Sequence, residues 1–162
     1  MDEKYTSKDV LKMAIQAKAR GVDMYMSLAR SSENYHVAQL FAELAKDEQR
    51  HKLEISKWME SLKDEKREEA YPGERSLFLK ALVDENTFNC GVMEKKTLET
   101  TVNEEDALRA GINFEKDLML FMHELRRHVA REDYEIIDRL IDEEACHIRE
   151  MFSIKDKLAG KN

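Results

Sequence analysis

Proline is almost missing from this chain: Pro72 stands alone among 162 residues, alongside only five glycines. An all-β sandwich or barrel needs far more turn-forming residues than that. Cysteine is equally scarce. Cys90 and Cys146 are too few for a disulfide scaffold and too far apart for a CxxC metal or redox motif, so a reduced, cytoplasmic setting is the expectation. Long apolar runs are missing too; the longest, Leu118 to Met122, is five residues, against the ~20 needed to span a bilayer. The opening MDEKYTSKDV has neither the basic nor the apolar region of a signal peptide. Basic excess is also lacking. With 27 basic against 34 acidic residues and a net charge of −7, the chain has no electrostatic footprint for general nucleic-acid binding. No Gly-rich phosphate loop and no nucleophile elbow is present.

What remains is helix. Charged residues make up 38% and hydrophobic residues 42%, enough apolar side chains for a core and too many for disorder. Four segments carry a helical period. The first follows Thr6 and Ser7, with Asp9 placed as a capping-box partner of Thr6; its inward positions read Leu11, Ala14, Lys18, Gly21, Tyr25, Leu28. The second follows the break at Ser31 to Asn34 and reads Val37, Phe41, Leu44, Glu48, His51, Ile55, Trp58, Leu62. The third begins near Asn103, with Asp106 as its cap partner, and reads Leu108, Gly111, Glu115, Leu118, Met122, Leu125. The fourth follows a break around Arg131, Glu132 and Asp133 and reads Ile137, Leu140, Glu144, His147, Met151, Ile154, Leu158.

Steps of three and four keep each set on one helix face, and the short breaks make each pair an antiparallel hairpin. An all-α four-helix bundle over residues 1–162 follows, with hairpins at about 7–69 and 103–159. The connection, about 70–102, holds Tyr71-Pro72-Gly73, a short predicted helix at Ser76 to Val83 and an irregular part around Asn86 to Gly91. It is long enough to cross over along the bundle. The hairpins read as copies: Asp9, Leu11 and Lys18 match Asp106, Leu108 and Glu115 at an offset of 97, and Leu44, Glu48 and His51 match Leu140, Glu144 and His147 at 96.

Glu48, His51, Glu144 and His147 interrupt otherwise apolar seams, with Glu115 and Lys18 at equivalent levels on the third and first helices. Buried there without partners, such groups cost several kcal/mol apiece, so the interior demands compensation. Glu48-x-x-His51 and Glu144-x-x-His147 each place two donors one turn apart on one face. Carboxylate oxygens and imidazole nitrogens suit iron, manganese or zinc. The alternative is a buried polar network that fixes helix register.

The segments FAELAKDEQRHKLEI, GINFEKDLMLFMHEL and IIDRLIDEEACHIREM resemble the second, third and fourth helices of the ferritin-like superfamily, and within it the rubrerythrin-type diiron-carboxylate proteins. The resemblance spans nearly the whole chain. It implies a ferritin-like bundle in which Glu48 and Glu144 bridge two irons, His51 binds the first ion, and His147 and Glu115 bind the second. It implies a non-haem iron redox protein that reduces peroxide or reacts with dioxygen, with Tyr25 near the bound oxygen species. The rubredoxin-like module with two CxxC pairs that rubrerythrins proper carry is not in this sequence. Electrons then come from a separate donor such as a rubredoxin. Association as a homodimer, through apolar parts of the connection or the outer helix faces, is the expected assembly. Simple iron binding or storage without turnover, and a degenerate bundle with a structural or interaction role, are the competing readings.

The departure is at AIQAKARGVDMYMSLA, where the expected glutamate is Lys18. Gln16 and Asp23 cannot replace it, lying about 160° and 140° away around the helix. An ammonium does not coordinate iron and repels a nearby cation. Three outcomes compete: a two-metal site with Lys18 swung aside, a single metal at the second position with the ammonium in place of the first, or a metal-free bundle with Lys18 paired to the glutamates. Elsewhere, Cys146 reads as packing, Cys90 carries no specific role, and the methionines, Met24, Met26, Met119, Met122 and Met151 among them, read as bundle filling. His36, His123 and His128 read as solvent-facing, and the run Lys63 to Glu69 as a solvated helix end.

Overall fold

The computed structural model describes residues 5–63, 77–79, 81–82 and 103–160, and among them the only regular structure is helical. Helix α1 (Ser7–Ser31) opens with the capping box expected at Thr6: the Thr6 side chain accepts from the Asp9 amide, and the Asp9 carboxylate accepts from the Thr6 amide at 3.0 Å. That satisfies two of the orphan donors of the first turn. Helix α2 (Tyr35–Ser61) is capped by Asn34, whose side chain accepts from the amides of His36 and Val37. Helix α3 (Glu104–Leu125) is capped by Asn103, accepting from the Asp106 amide at 2.8 Å. Two 3-10 turns, Arg126–His128 and Arg131–Asp133, lead into helix α4 (Tyr134–Leu158).

The hairpins close by short polar joints. Glu104 at the start of α3 accepts from the amides of Glu33 and Asn34 and from the Ser32 hydroxyl, tying the α1–α2 joint to the second hairpin. Helix α1 packs on α2 and α3, and α4 packs on α3 and α2, which makes a cyclic four-helix bundle. The inward positions expected on α1 and α3 are all buried. Burying these apolar stripes supplies most of the bundle's stability, at roughly 1.5–3 kcal/mol for each fully buried large aliphatic or aromatic side chain.

Some expectations are corrected at the ends. Leu158, placed on the α4 seam by its spacing, is the last residue of that helix and is 44% exposed; Leu62 and Ile154 are half-buried. His36 and His123 are exposed, but His128 is buried. Its 3-10 turn breaks the α-helical phase and folds back on the start of α1, where the Ser7 hydroxyl donates to the His128 carbonyl at 2.6 Å. In the connection, 77–79 and 81–82 are helical, with Leu79 and Leu82 buried. The stretches around Tyr71 to Gly73 and Asn86 to Gly91, Cys90, and most of the run Lys63 to Glu69 lie outside the described residues. Among the described residues no helix is long and apolar enough to cross a membrane.

Candidate metal centre

Each helix delivers its polar side chains to one level of the interior. Lys18 and Tyr25 come from α1, Glu48 and His51 from α2, Glu115 from α3, and Glu144 and His147 from α4, and all seven are buried. The glycine at 21 makes room: a Cβ there would stand 2.9 Å from Glu48 Oε2 and 3.0 Å from the Phe114 ring.

The centre divides into two halves. In the first, the Lys18 ammonium lies between three groups, donating to Glu48 Oε1 at 3.0 Å and to Glu144 Oε1 and standing 3.3 Å from His51 Nδ1. Burial alone would lower its proton affinity, but the charges of Glu144, Glu48 and Glu115 outweigh it and hold the ammonium above its ordinary range. Lys18 is therefore a fixed cation. Glu144, which burial would push up, is held well below the usual carboxylate range chiefly by that charge.

In the second half, Glu48, Glu115, Glu144 and His147 each offer a ligand atom, all within 4.8 Å of one another. His147 Nδ1 is 3.2 Å from Glu144 Oε2 and 3.5 Å from Glu115 Oε1. Tyr25 donates to Glu115 Oε1 at 2.5 Å. Burial, reinforced by the Glu115 charge, keeps the phenol proton in place. Burial and the nearby Glu144 and Glu48 charges push the Glu115 carboxyl well above its usual range. Met122, where the repeat sets a counterpart to Tyr25, is a buried apolar filler.

Among the described residues, the second oxygens of both Glu48 and Glu115 are buried without a hydrogen-bond partner. Leaving buried acceptors unmade costs about 1–3 kcal/mol each, a cost that an ion held by the group of four would offset. The residues fit one metal ion. They do not fit two, because the first position already holds an ammonium at hydrogen-bonding distance. His51 stands outside the group of four, its Nδ1 turned to Lys18.

Asp47 and Glu143 escaped the sequence reading. Each precedes a seam glutamate, and each faces the outer nitrogen of the opposite helix's histidine: Glu143 Oε2 is 2.7 Å from His51 Nε2, and Asp47 Oδ2 is 3.4 Å from His147 Nε2. Arg50 joins the two carboxylates, donating to Glu143 at 2.6 Å and Asp47 at 3.1 Å. Burial works against charge on both imidazoles, but hydrogen bonds to Glu144 and Glu48 hold His51 up to about 9. Hydrogen bonds to Glu115 and Glu144 hold His147 up to about 11. Burial would raise Glu143, yet Arg50 and His51 hold it down to about 2. The signal for these two residues was in the repeat: Asp47 and Glu143 are related by the same offset of 96 as the glutamates beside them. Cys146, between Glu144 and His147 in sequence, is half-buried with Sγ 3.9 Å from Glu150 Oε1.

A bundle with paired Glu-x-x-His turns facing across its core is the arrangement of the ferritin-like carboxylate proteins. The family model of rubrerythrin matches residues 9–153. The chain belongs to the rubrerythrin family. No curated protein and no solved structure gives a significant match to it. The match takes in all four helices and every side chain of the centre, Lys18 among them.

Proposed function

We propose that this rubrerythrin-family protein is a non-haem iron-binding redox protein that holds a single divalent ion. The ion lies between Glu48, Glu115, Glu144 and His147, and the Lys18 ammonium stands in for the other cation. The observation that carries this reading is the position of Lys18 Nζ, against Glu48 Oε1, Glu144 Oε1 and His51 Nδ1, with one buried oxygen each of Glu48 and Glu115 left unpartnered. For the ion to bind, Glu115 and His147 must release the protons that the metal-free site holds on them. Iron is the family's usual metal, and manganese or zinc suits the same donor set.

The chain's own residues divide the work. Glu144 is shared between Lys18 and the ion; Glu115 is steadied by the Tyr25 hydroxyl; His147 is aimed by Asp47. Lys18 lowers the net charge of the pocket and keeps it at one ion. Ferrous iron held there would supply one electron towards reduction of a peroxide O–O bond. Complete reduction of hydrogen peroxide takes two electrons and two protons to give two waters, so a separate one-electron donor of the rubredoxin class would supply the second electron and return the ferric ion to the ferrous state.

Metal analysis after anaerobic purification, then peroxide addition with and without a one-electron donor, tests the proposal. The expected result is one ion per chain and peroxide-dependent oxidation that turns over only with the donor. Two ions per chain with oxo-bridge absorption would overturn the single-ion reading. No metal even after reconstitution would leave a structural role, with Lys18 permanently neutralising Glu48 and Glu144.

A further inference from the structure

An ion bound by Glu48, Glu115, Glu144 and His147 has to come in from solvent, yet the three glutamates are fully buried and His147 is 5% exposed. Along the bundle axis, α2 and α4 close the centre with apolar side chains: Leu44 and Ile55 on one, Leu140 and Met151 on the other, all buried. Sideways, between α2 and α4, the wall is polar. There His51 and His147 lie face to face, their ring centroids 6.0 Å apart and their planes at 23°. Each turns its outer nitrogen to a part-exposed carboxylate of the opposite helix, Glu143 for His51 and Asp47 for His147. A cation arriving from this side meets the two carboxylates first, and His147 is the next group inward.

One side chain lies across that approach. Arg50 Nη2 donates to Asp47 Oδ1 at 3.1 Å on its own helix and to Glu143 Oε2 at 2.6 Å on α4, and it stands 3.2 Å from His51 Nε2. Arg139 braces Glu143 from α4 at 2.9 Å and reaches across to Glu54 of α2. The guanidinium therefore ties the two helices together in front of the histidines. Half of the Arg50 side chain is in solvent, and ion pairs this exposed are weak enough to break and re-form.

We propose that Arg50 is a strap across the α2–α4 seam, and the gate through which the divalent ion enters and leaves the centre; this rests on the single-ion reading given above. Closed, the strap occupies both carboxylates and its charge repels an incoming cation. Swung out into solvent, it frees Asp47 and Glu143 to draw the cation in towards His147. A gate lies on the path in both directions, so loosening it speeds entry and exit together and changes the affinity less than either rate. A residue that only supports a ligand acts chiefly on release.

Stopped-flow loading of the metal-free full chain with cobaltous ion, read by its visible absorbance, tests this, together with the rate at which a chelator strips the loaded chain. The variants are Arg50→Gln, Glu143→Gln and Lys46→Gln, with circular dichroism to verify that each keeps its helix content. Arg50→Gln should raise both rates at least tenfold, with one ion per chain as in the native protein. Glu143→Gln takes away the shorter of the strap's two anchors and should raise both rates as well, whereas losing a negative charge from the approach would by itself slow a cation's arrival. Lys46→Gln removes an exposed cation of α2 that pairs with Glu43 on its own helix, and should leave both rates within twofold of native. A native chain that takes up no ion overturns the gate together with the single-ion reading. A native chain that loads one ion, with Arg50→Gln within twofold of it, overturns the gate alone. Slower loading in Glu143→Gln, or an effect of Lys46→Gln equal to that of Arg50→Gln, overturns it in favour of surface charge. Faster release without faster entry in Arg50→Gln overturns it too, and makes Arg50 a support for Asp47 and His147.

Discussion

Lys18→Glu is the most informative single change. In the metal-free protein it removes the only ammonium touching Glu48 Oε1 and Glu144 Oε1 among the described residues, and it adds a further carboxylate to the three already present. Both glutamates are fully buried, so solvent does not screen the loss. Breaking a buried ion pair by removing one partner costs about 3–5 kcal/mol. For a domain of this size, each kcal/mol moves Tm by about 2–4 °C, so the metal-free variant should melt roughly 6–20 °C below the native chain. Ferrous or manganous ion should then narrow the gap to within about 0.3–2.3 kcal/mol. The new carboxylate and His51 complete a first site, metal stoichiometry rises from one ion per chain to two, and each ion at a hundredfold its Kd returns about 2.7 kcal/mol. Calorimetry with and without metal, alongside metal analysis of the same samples, measures both effects. A metal-free variant within about 1 kcal/mol of native would refute the buried pairing. A variant that still binds only one ion would refute the idea that the ammonium is what excludes the other.

Further consequences follow from the same geometry. His51 and His147 are held up to about 9 and about 11 against an ordinary 6.5. In the metal-free protein their contribution to stability is whole below pH 6.5 and is lost as pH rises through 9 and then 11. Urea unfolding should therefore show a lower midpoint at pH 9 than at pH 6.5, and a higher one would contradict the assigned hydrogen bonds. Asp47→Asn should weaken metal binding by about ten- to a hundredfold, the usual effect of losing a carboxylate that aims a histidine ligand. Glu143→Gln, at a carboxylate whose histidine partner is His51, the one facing Lys18, should leave the affinity nearly unchanged; competition with a metallochromic dye reads the difference. Equal losses would mean that His51 is a ligand after all.

Much of the centre is legible in the chain because periodicity is a local property. Steps of three and four assign Glu48, His51, Glu115, Glu144 and His147 to apolar seams, and the structure finds all five buried at one level. Thr6 with Asp9 marks the first helix start for the same reason, a cap being a contact three residues long. Asp47 and Glu143 went unread because their positions look solvent-facing from within one helix; only the apposition of α2 and α4 turns them onto the histidines. His128 was misplaced because the α-helical phase stops at Leu125, and the 3-10 turn that follows obeys a different period.

By itself, the amino-acid order determined that four amphipathic helices would form and that charged side chains would meet where they pack, since burial of the apolar stripes leaves those side chains nowhere else to go. It left open what Lys18 would do there. A lysine side chain is long enough to reach water, a carboxylate, or a metal's place, and propensity does not distinguish among them. Only the packed bundle decided, by setting the ammonium between Glu48, Glu144 and His51 while leaving one oxygen each of Glu48 and Glu115 without a partner. That choice depends on distances between separate helices, which no single stretch of sequence contains.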